Sequence, residues 1–306
     1  KHTEPNLVRA LVTGSVERLG DVITPFLQGN APLVPGYRTR IVDGNHLPAS
    51  EKRLKPLRAF RGAALPGQSL VVYDPDSGLV VDMEPCEDAH SQERAVMPPL
   101  LERSHPGDLW IADRNFSTRM ILSEWDRRGC AFIVREHGRT PNPAPLDELT
   151  YRGRIATGAV FEQCVAIPGA TGQKVASRRI ELQLYKPTDD GEMILRLLTN
   201  LPKEHFSARA IARLYSKRWR IETMFQRLES VLHSEVKTLG HPRAALFAFG
   251  IAILAYNVLT VLQCAVSAAH DLVASGIELS PFYVAVEVRA HYAGMVMAVP
   301  TKAWRR

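Results

Sequence analysis

The 306 residues carry 38 Lys plus Arg against 32 Asp plus Glu, a formal net charge of +6, with 45% hydrophobic and 23% charged side chains. That balance excludes wholesale disorder, a collagen-like repeat and a coiled coil, and is enough for one large core or two ordinary ones. A basic excess of this size suits a protein that handles a polyanion, although its distribution matters more than its total.

Residues 1–20 lack the basic start, apolar run and small-residue cleavage site of a signal peptide. Leu7, Val8, Leu11 and Val12 predict a short amphipathic helix ahead of the Pro- and Gly-rich loop LQGNAPLVPGY. RTRIVDG then reads as a strand ending in an acidic turn, and SLVVYDPDSGLVVDMEP as two strands joined through DPDSG. A helix is expected over about residues 90–103, followed by a short apolar strand, Leu109 to Ala112, that Asp113 closes. STRMILSEWDRRG predicts another helix and CAFIVRE another strand. From 137 to 191 the pattern turns to Gly, Pro and short β-branched runs, a small β-rich insertion. EMILRLLTNLP returns to a strand, and Ser207 is a plausible N-cap for the long helical pattern SARAIARLYSKRWRIETMFQRLESVLHSEV.

A last helical block follows Pro242. Its stretch LFAFGIAILAYNVLTVLQCAV is as long as the roughly 20 apolar residues a membrane span needs. Asn257, Gln263 and the many alanines favour a helix buried in a soluble core, so no membrane partner is expected. The four cysteines, Cys86, Cys130, Cys164 and Cys264, form no CxxC pair, which fits a reducing compartment. The organisation expected is a helical segment over 1–36, a mixed α/β core over 37–136 and 192–241, the insertion over 137–191 and a helical region over 242–306.

Three carboxylates stand where a sheet-built active site needs them: Asp43 and Asp113 at strand ends and Glu222 on the long helix. Converging carboxylates repel one another, and a hard divalent cation relieves this, with Mg and Mn preferring oxygen ligands. Two such ions, roughly 3.5–4 Å apart, can hold the attacking and leaving oxygens of a phosphoryl displacement. Singly, each acid is equally an ordinary turn or cap residue. The helix is more specific. Tyr215, Arg218 and Glu222 share one face at about 100° per residue, so a phenol, a guanidinium able to grip phosphate and a metal ligand stand together.

These residues resemble the DDE transposases of the insertion-sequence-four group, which includes the transposon-five enzyme. YSKRWRIE is similar to that group's Y-x2-R-x3-E-x6-K signature, IVDGNHL to its first aspartate context and WIADRNF to its second; the resemblance runs over about residues 38–257. It implies an RNase H-like mixed sheet flanked by helices, with a β-rich insertion before the glutamate. Asp43, Asp113 and Glu222 would be catalytic metal ligands for two Mg ions, which Mn could replace, and Tyr215 and Arg218 would be DNA-phosphate contacts. The activity implied is metal-dependent cleavage at transposon ends and strand transfer into target DNA. The partners implied are double-stranded DNA and a second copy of the chain in a synaptic homodimer, in the bacterial cytoplasm at the nucleoid.

One position departs from the signature: its lysine would fall at 229, where this chain has Glu229, so Arg227 or Lys237 would have to serve. The insertion contains no Trp, leaving Tyr151, Phe161 and Tyr185 to offer an aromatic platform. Basic residues recur beside the acids: Lys52, Arg53, Lys55, Arg58 and Arg61; Arg114 and Arg119; Arg127 and Arg128; Arg152 and Arg154; Lys174, Arg178 and Arg179; and Arg213, Lys217, Arg218 and Arg220. Of these, Arg114, Lys217 and Arg220, with Arg227, are the expected DNA contacts. On the residues alone, a decayed transposase that only binds DNA and another RNase H-like endonuclease stay open.

Overall fold

The computed structural model describes residues 2–27, 31–47, 67–88, 91–169, 172–188, 190–232, 234, 241–272 and 274–298. The clusters of basic residues from 52 to 61, and Lys237, lie outside them. A ten-stranded mixed sheet organises the chain. Its first part is an antiparallel meander of β1 (Arg38–His46), β2 (Gln68–Asp74) and β3 (Leu79–Cys86), turned through DPDSG. In that turn Asp74 Oδ1 accepts from the backbone N–H of Asp76 at 2.9 Å, and Gly78 takes φ 74°. Next to β1 lie β4 (Asp108–Ala112) and then β5 (Ala131–Arg135), both parallel to it. The order β3-β2-β1-β4-β5 with this polarity is the RNase H-like arrangement.

Beyond β5 the sheet continues. β10 (Ile194–Thr199) pairs antiparallel with β5, then come β9 (Lys174–Leu184) and β8 (Gly158–Pro168), with β6 (Ala144–Pro145) and β7 (Thr150–Ile155) both on β8. The β-rich stretch extends the core sheet at its β5 side.

Strands β4 and β5 carry unbroken apolar runs, Leu109–Ala112 and Ala131–Val134, because helices cover both faces. Side chains alternate between two cores: Ile41 and Ile111 join one, Val42 and Ala112 the other. On the second side lie α2 (Pro98–Glu102) and α3 (Arg119–Arg127), with Trp125 wholly buried. On the first lie α1 (Pro5–Leu27), α4 (Ala208–Tyr215), α5 (Trp219–Ser230) and α6 (Pro242–Ala269). α7 (Pro281–Ala298) follows.

Several elements differ from expectation. α1 is 23 residues long, not a short helix, because Val8, Val12 and Ile23 are buried along its length. It comes so close to α6 that a Cβ at Gly250 would collide with Cγ1 of Val8. The helix expected over 90–103 is a 3-10 turn, Glu93–Ala95, followed by the five-residue α2, since Pro98 starts a helix and cannot continue one. Ser207 caps α4 as expected, accepting from the N–H of Ala210 at 3.3 Å, but the long helix is broken by a 3-10 turn at Ser216–Arg218. α6 is long and apolar enough to cross a membrane, yet half of its most apolar window is buried inside the protein. Its Asn257, wholly buried, bonds both the N–H and the C=O of Val80 on the edge strand β3 at 2.9 Å.

Candidate active site

The site grows from strand register. Val42 lies opposite Ala112, and Ala112 opposite Val134, across three adjacent parallel strands. The next residue on each is Asp43, Asp113 and Arg135. Two acids and a guanidinium thus line the C-terminal edge of β1, β4 and β5. By the two-residue alternation Asp43 and Asp113 project to the side of Ile41 and Ile111, the side that carries α4 and α5.

The 3-10 turn between α4 and α5 supplies the opposite wall. Arg218 Nη1 donates to Asp43 Oδ2 at 3.2 Å, and its Nη2 lies 2.6 Å from Glu222 Oε1. The Tyr215 hydroxyl donates to Asp113 Oδ1 at 3.4 Å. Arg135 Nη1 stands 3.9 Å from the same oxygen and its Nη2 pairs with Glu192. Tyr215, Arg218 and Glu222 do share one face, and that face meets the two aspartates.

Burial pushes the Asp43 carboxyl up to about 7; the Arg218 charge opposes this, while Glu93 and Asp113 add to it. Burial also raises the Tyr215 phenol, with the Asp113 charge adding to the effect, so the hydroxyl stays protonated as a donor. Burial disfavours the Arg218 charge, but Tyr215, Asp43, Glu222 and Asp113 around it raise its pKa above the ordinary value. Arg218 Nε is buried without a partner among the described residues.

Among the described residues no three His, Cys, Asp or Glu side chains close into one group. The Arg218 guanidinium bridges Asp43 and Glu222, where the expected triad would meet a cation. The donor set nevertheless fits a hard divalent ion. Asp43, Asp113 and Glu222 offer carboxylate oxygen throughout, the donor such ions prefer.

The expected DNA contacts divide. Lys217 and Arg220 are exposed, although Arg220 Nη1 also donates to the Pro75 carbonyl at 2.9 Å. Arg114 is held by Glu192 at 3.0 Å and Asp190 at 3.4 Å. Tyr215 is buried on Asp113, away from open surface. The Arg227 charge bears on the buried Tyr256 hydroxyl, whose own proton goes to the Gly78 carbonyl at 3.2 Å, and Glu229 is exposed. Several other basic residues are paired with acids of the same chain. Arg127 and Arg128 pair with Glu124, Arg152 and Arg178 with Glu162, and Arg179 with Glu136. Arg119 donates to the carbonyl of Pro141. These pairings leave Arg128, Arg178 and Arg179 turned to acids of the same chain.

Three residues at the site were missed. Arg135 obeys the same strand-end rule as Asp113 and was legible by it. Trp219, beside Arg218, is 59% exposed and presents an aromatic face next to Lys217 and Arg220. Glu93 reaches Gly44 through a turn that no sequence signal places.

Residues 35–258 match the family described as "Transposase DDE domain". The chain belongs to the DDE transposase family. It is 35% identical over 251 residues to the putative transposase InsL for insertion sequence element IS186A of Escherichia coli (strain K12). The transposase for insertion sequence element IS421 of Escherichia coli is equally similar, at 35% over 251 residues. Each match covers 69% of this chain and 62% of the relative, so the chain spans less than two thirds of these transposases. Asp43, Asp113 and the Tyr215, Arg218, Glu222 face all fall inside the family match.

Proposed function

We propose that this DDE transposase cleaves DNA at the ends of its element and transfers the freed 3′ end into target DNA. The observation that carries the reading is the meeting of Asp43 and Asp113, on adjacent parallel strand ends, with the Tyr215, Arg218, Glu222 face. Asp43, Asp113 and Glu222 would hold the divalent cations, Mg or Mn, which when bound activate the attacking oxygen and stabilise the leaving one.

The chain's own residues supply the rest. In the first step a water oxygen attacks phosphorus and the 3′ oxygen leaves; in the second that 3′ hydroxyl attacks a target phosphate and displaces another 3′ oxygen. Tyr215 orients Asp113 by its hydroxyl, and Arg135 offsets the charge on Asp113. Arg218 keeps Asp43 and Glu222 apart and neutralised until DNA arrives. A phosphate then competes for its guanidinium, which suits bidentate phosphate recognition. Lys217 and Arg220 add sequence-independent attraction to the backbone, and Trp219 offers a surface for base stacking. Double-stranded DNA is the substrate, a homodimer holds the two ends, and action on bacterial DNA puts the protein in the cytoplasm at the nucleoid.

The test is strand transfer with MgCl2 or MnCl2, DNA carrying the element's end sequence and a plasmid target, beside Glu222→Gln. The expected result is joined product from the unsubstituted protein and none from the variant, with DNA binding retained. Joining by Glu222→Gln at the unsubstituted rate would overturn the assignment of Glu222.

A further inference from the structure

Asp113 is flanked by two guanidinium groups, Arg114 next to it in the chain and Arg135 beyond it in the sheet, and one carboxylate holds both. Arg114 Nη1 lies 3.0 Å from Glu192 Oε1, and Arg135 Nη2 pairs with Glu192 Oε2. Glu192 stands in the connection from β9 to β10, where Thr188 ties its backbone. The Glu192 N–H donates to Thr188 Oγ1 at 3.1 Å, and the Thr188 N–H to the Glu192 carbonyl at 2.9 Å. Arg135 lies opposite Leu197 in the pairing of β5 with β10, and its side chain is 13% exposed. Its Nη1 stops 3.9 Å from Asp113 Oδ1, the same oxygen that the Tyr215 hydroxyl reaches at 3.4 Å. That separation is longer than a hydrogen bond. A guanidinium freed at this distance could close on the carboxylate as a bidentate fork and occupy both of its oxygens.

We propose that Glu192 is a positioning residue for Arg135: by drawing the guanidinium towards itself, it leaves Asp113 partly neutralised yet open to a divalent cation. This rests on the metal-dependent reading of Asp43, Asp113 and Glu222. Two carboxylates compete for one guanidinium, and the tied backbone of Glu192 decides the contest in its favour. A cation and a guanidinium in turn compete for the Asp113 oxygens, so whatever restrains Arg135 favours the cation.

The measurement is Mn binding to the full chain without DNA, by electron paramagnetic resonance titration with MnCl2, with circular dichroism to verify the fold of each variant. Glu192→Gln keeps the side chain's shape and removes its charge. It is expected to weaken Mn binding about three-fold or more, as Arg135 turns to Asp113. Arg135→Gln is expected to bind Mn at least as tightly as the unsubstituted chain, and adding Glu192→Gln to it should change nothing further. That dependence on Arg135 separates positioning from a bare loss of negative charge, which would weaken binding equally in both backgrounds. Equal weakening in both, or unchanged binding by folded Glu192→Gln, would overturn the role of Glu192 alone. No Mn bound by the unsubstituted chain, or binding untouched by Asp113→Asn, would overturn the metal reading beneath it.

Discussion

Asn257 is the residue whose replacement best tests how the last core helix is held. Its amide presents one acceptor and one donor to Val80, at 2.9 Å each, and so takes the place of a neighbouring strand on the sheet edge. Both Asn257 and Val80 are wholly buried, so water cannot readily substitute. Asn257→Leu keeps the approximate volume and adds apolar surface to a helix already of hydropathy 2.2. If apolar burial alone fixed α6, this variant would be neutral or stabilised. It also leaves the Val80 N–H and C=O without partners, at about 1–3 kcal/mol for each orphaned group. The expected destabilisation is therefore ~2–6 kcal/mol, offset by ~1 kcal/mol of added burial. Asn257→Ala should lose more, because it adds a cavity to the same two orphans. Urea unfolding followed by circular dichroism measures both variants. A midpoint for Asn257→Leu at or above that of the unsubstituted protein would refute the reasoning.

Two further outcomes follow from the same kind of accounting. In EDTA the folded protein keeps a proton on Asp43 up to about pH 7, which the unfolded chain gives up near its ordinary 3.8. That contribution to stability is complete below roughly pH 4 and is lost as pH rises through about 7, with an upper bound of ~4 kcal/mol. Solvent access to the 19% exposed side chain reduces it. Asp43→Asn should therefore flatten the fall of the thermal midpoint between pH 5 and 8, and an unchanged slope would count against the burial of this charge. Gly250→Ala should force α1 and α6 apart at Val8 and cost about 1–3 kcal/mol; a midpoint within error of the parent would show that the two helices do not meet closely there.

What was legible in the sequence was local. The buried strands, the DPDSG turn, the Ser207 cap and the two strand-end aspartates each follow from a few adjacent residues. The length of α1 does not, since Gly14, Gly20 and Pro25 lower its intrinsic helicity. Val8, Val12 and Ile23 sustain it by packing against elements distant in the chain. The strands after His137 were equally visible, but nothing in their pattern says that β9 pairs with β10 and so prolongs the core sheet.

The site shows the same division. Helical periodicity brings Tyr215, Arg218 and Glu222 onto one face, and the 3-10 turn tightens that stretch without scattering them. Charge partners are tertiary facts, and there the sequence misleads. Arg178, grouped by its neighbours with DNA-tracking cations, is 8% exposed and pairs with Glu162 at 2.6 Å. Its remaining donors reach the carbonyls of Leu201 at 2.9 Å and Phe206 at 2.8 Å, in the loop that leads to Ser207. A guanidinium with five donors in a fixed plane ties β9 to the start of α4 more rigidly than an ammonium on a flexible stem could. Where α4 starts determines where Tyr215, Arg218 and Glu222 meet Asp43 and Asp113. The positive charge that looked like a phosphate contact instead ties the loop before α4 to β9.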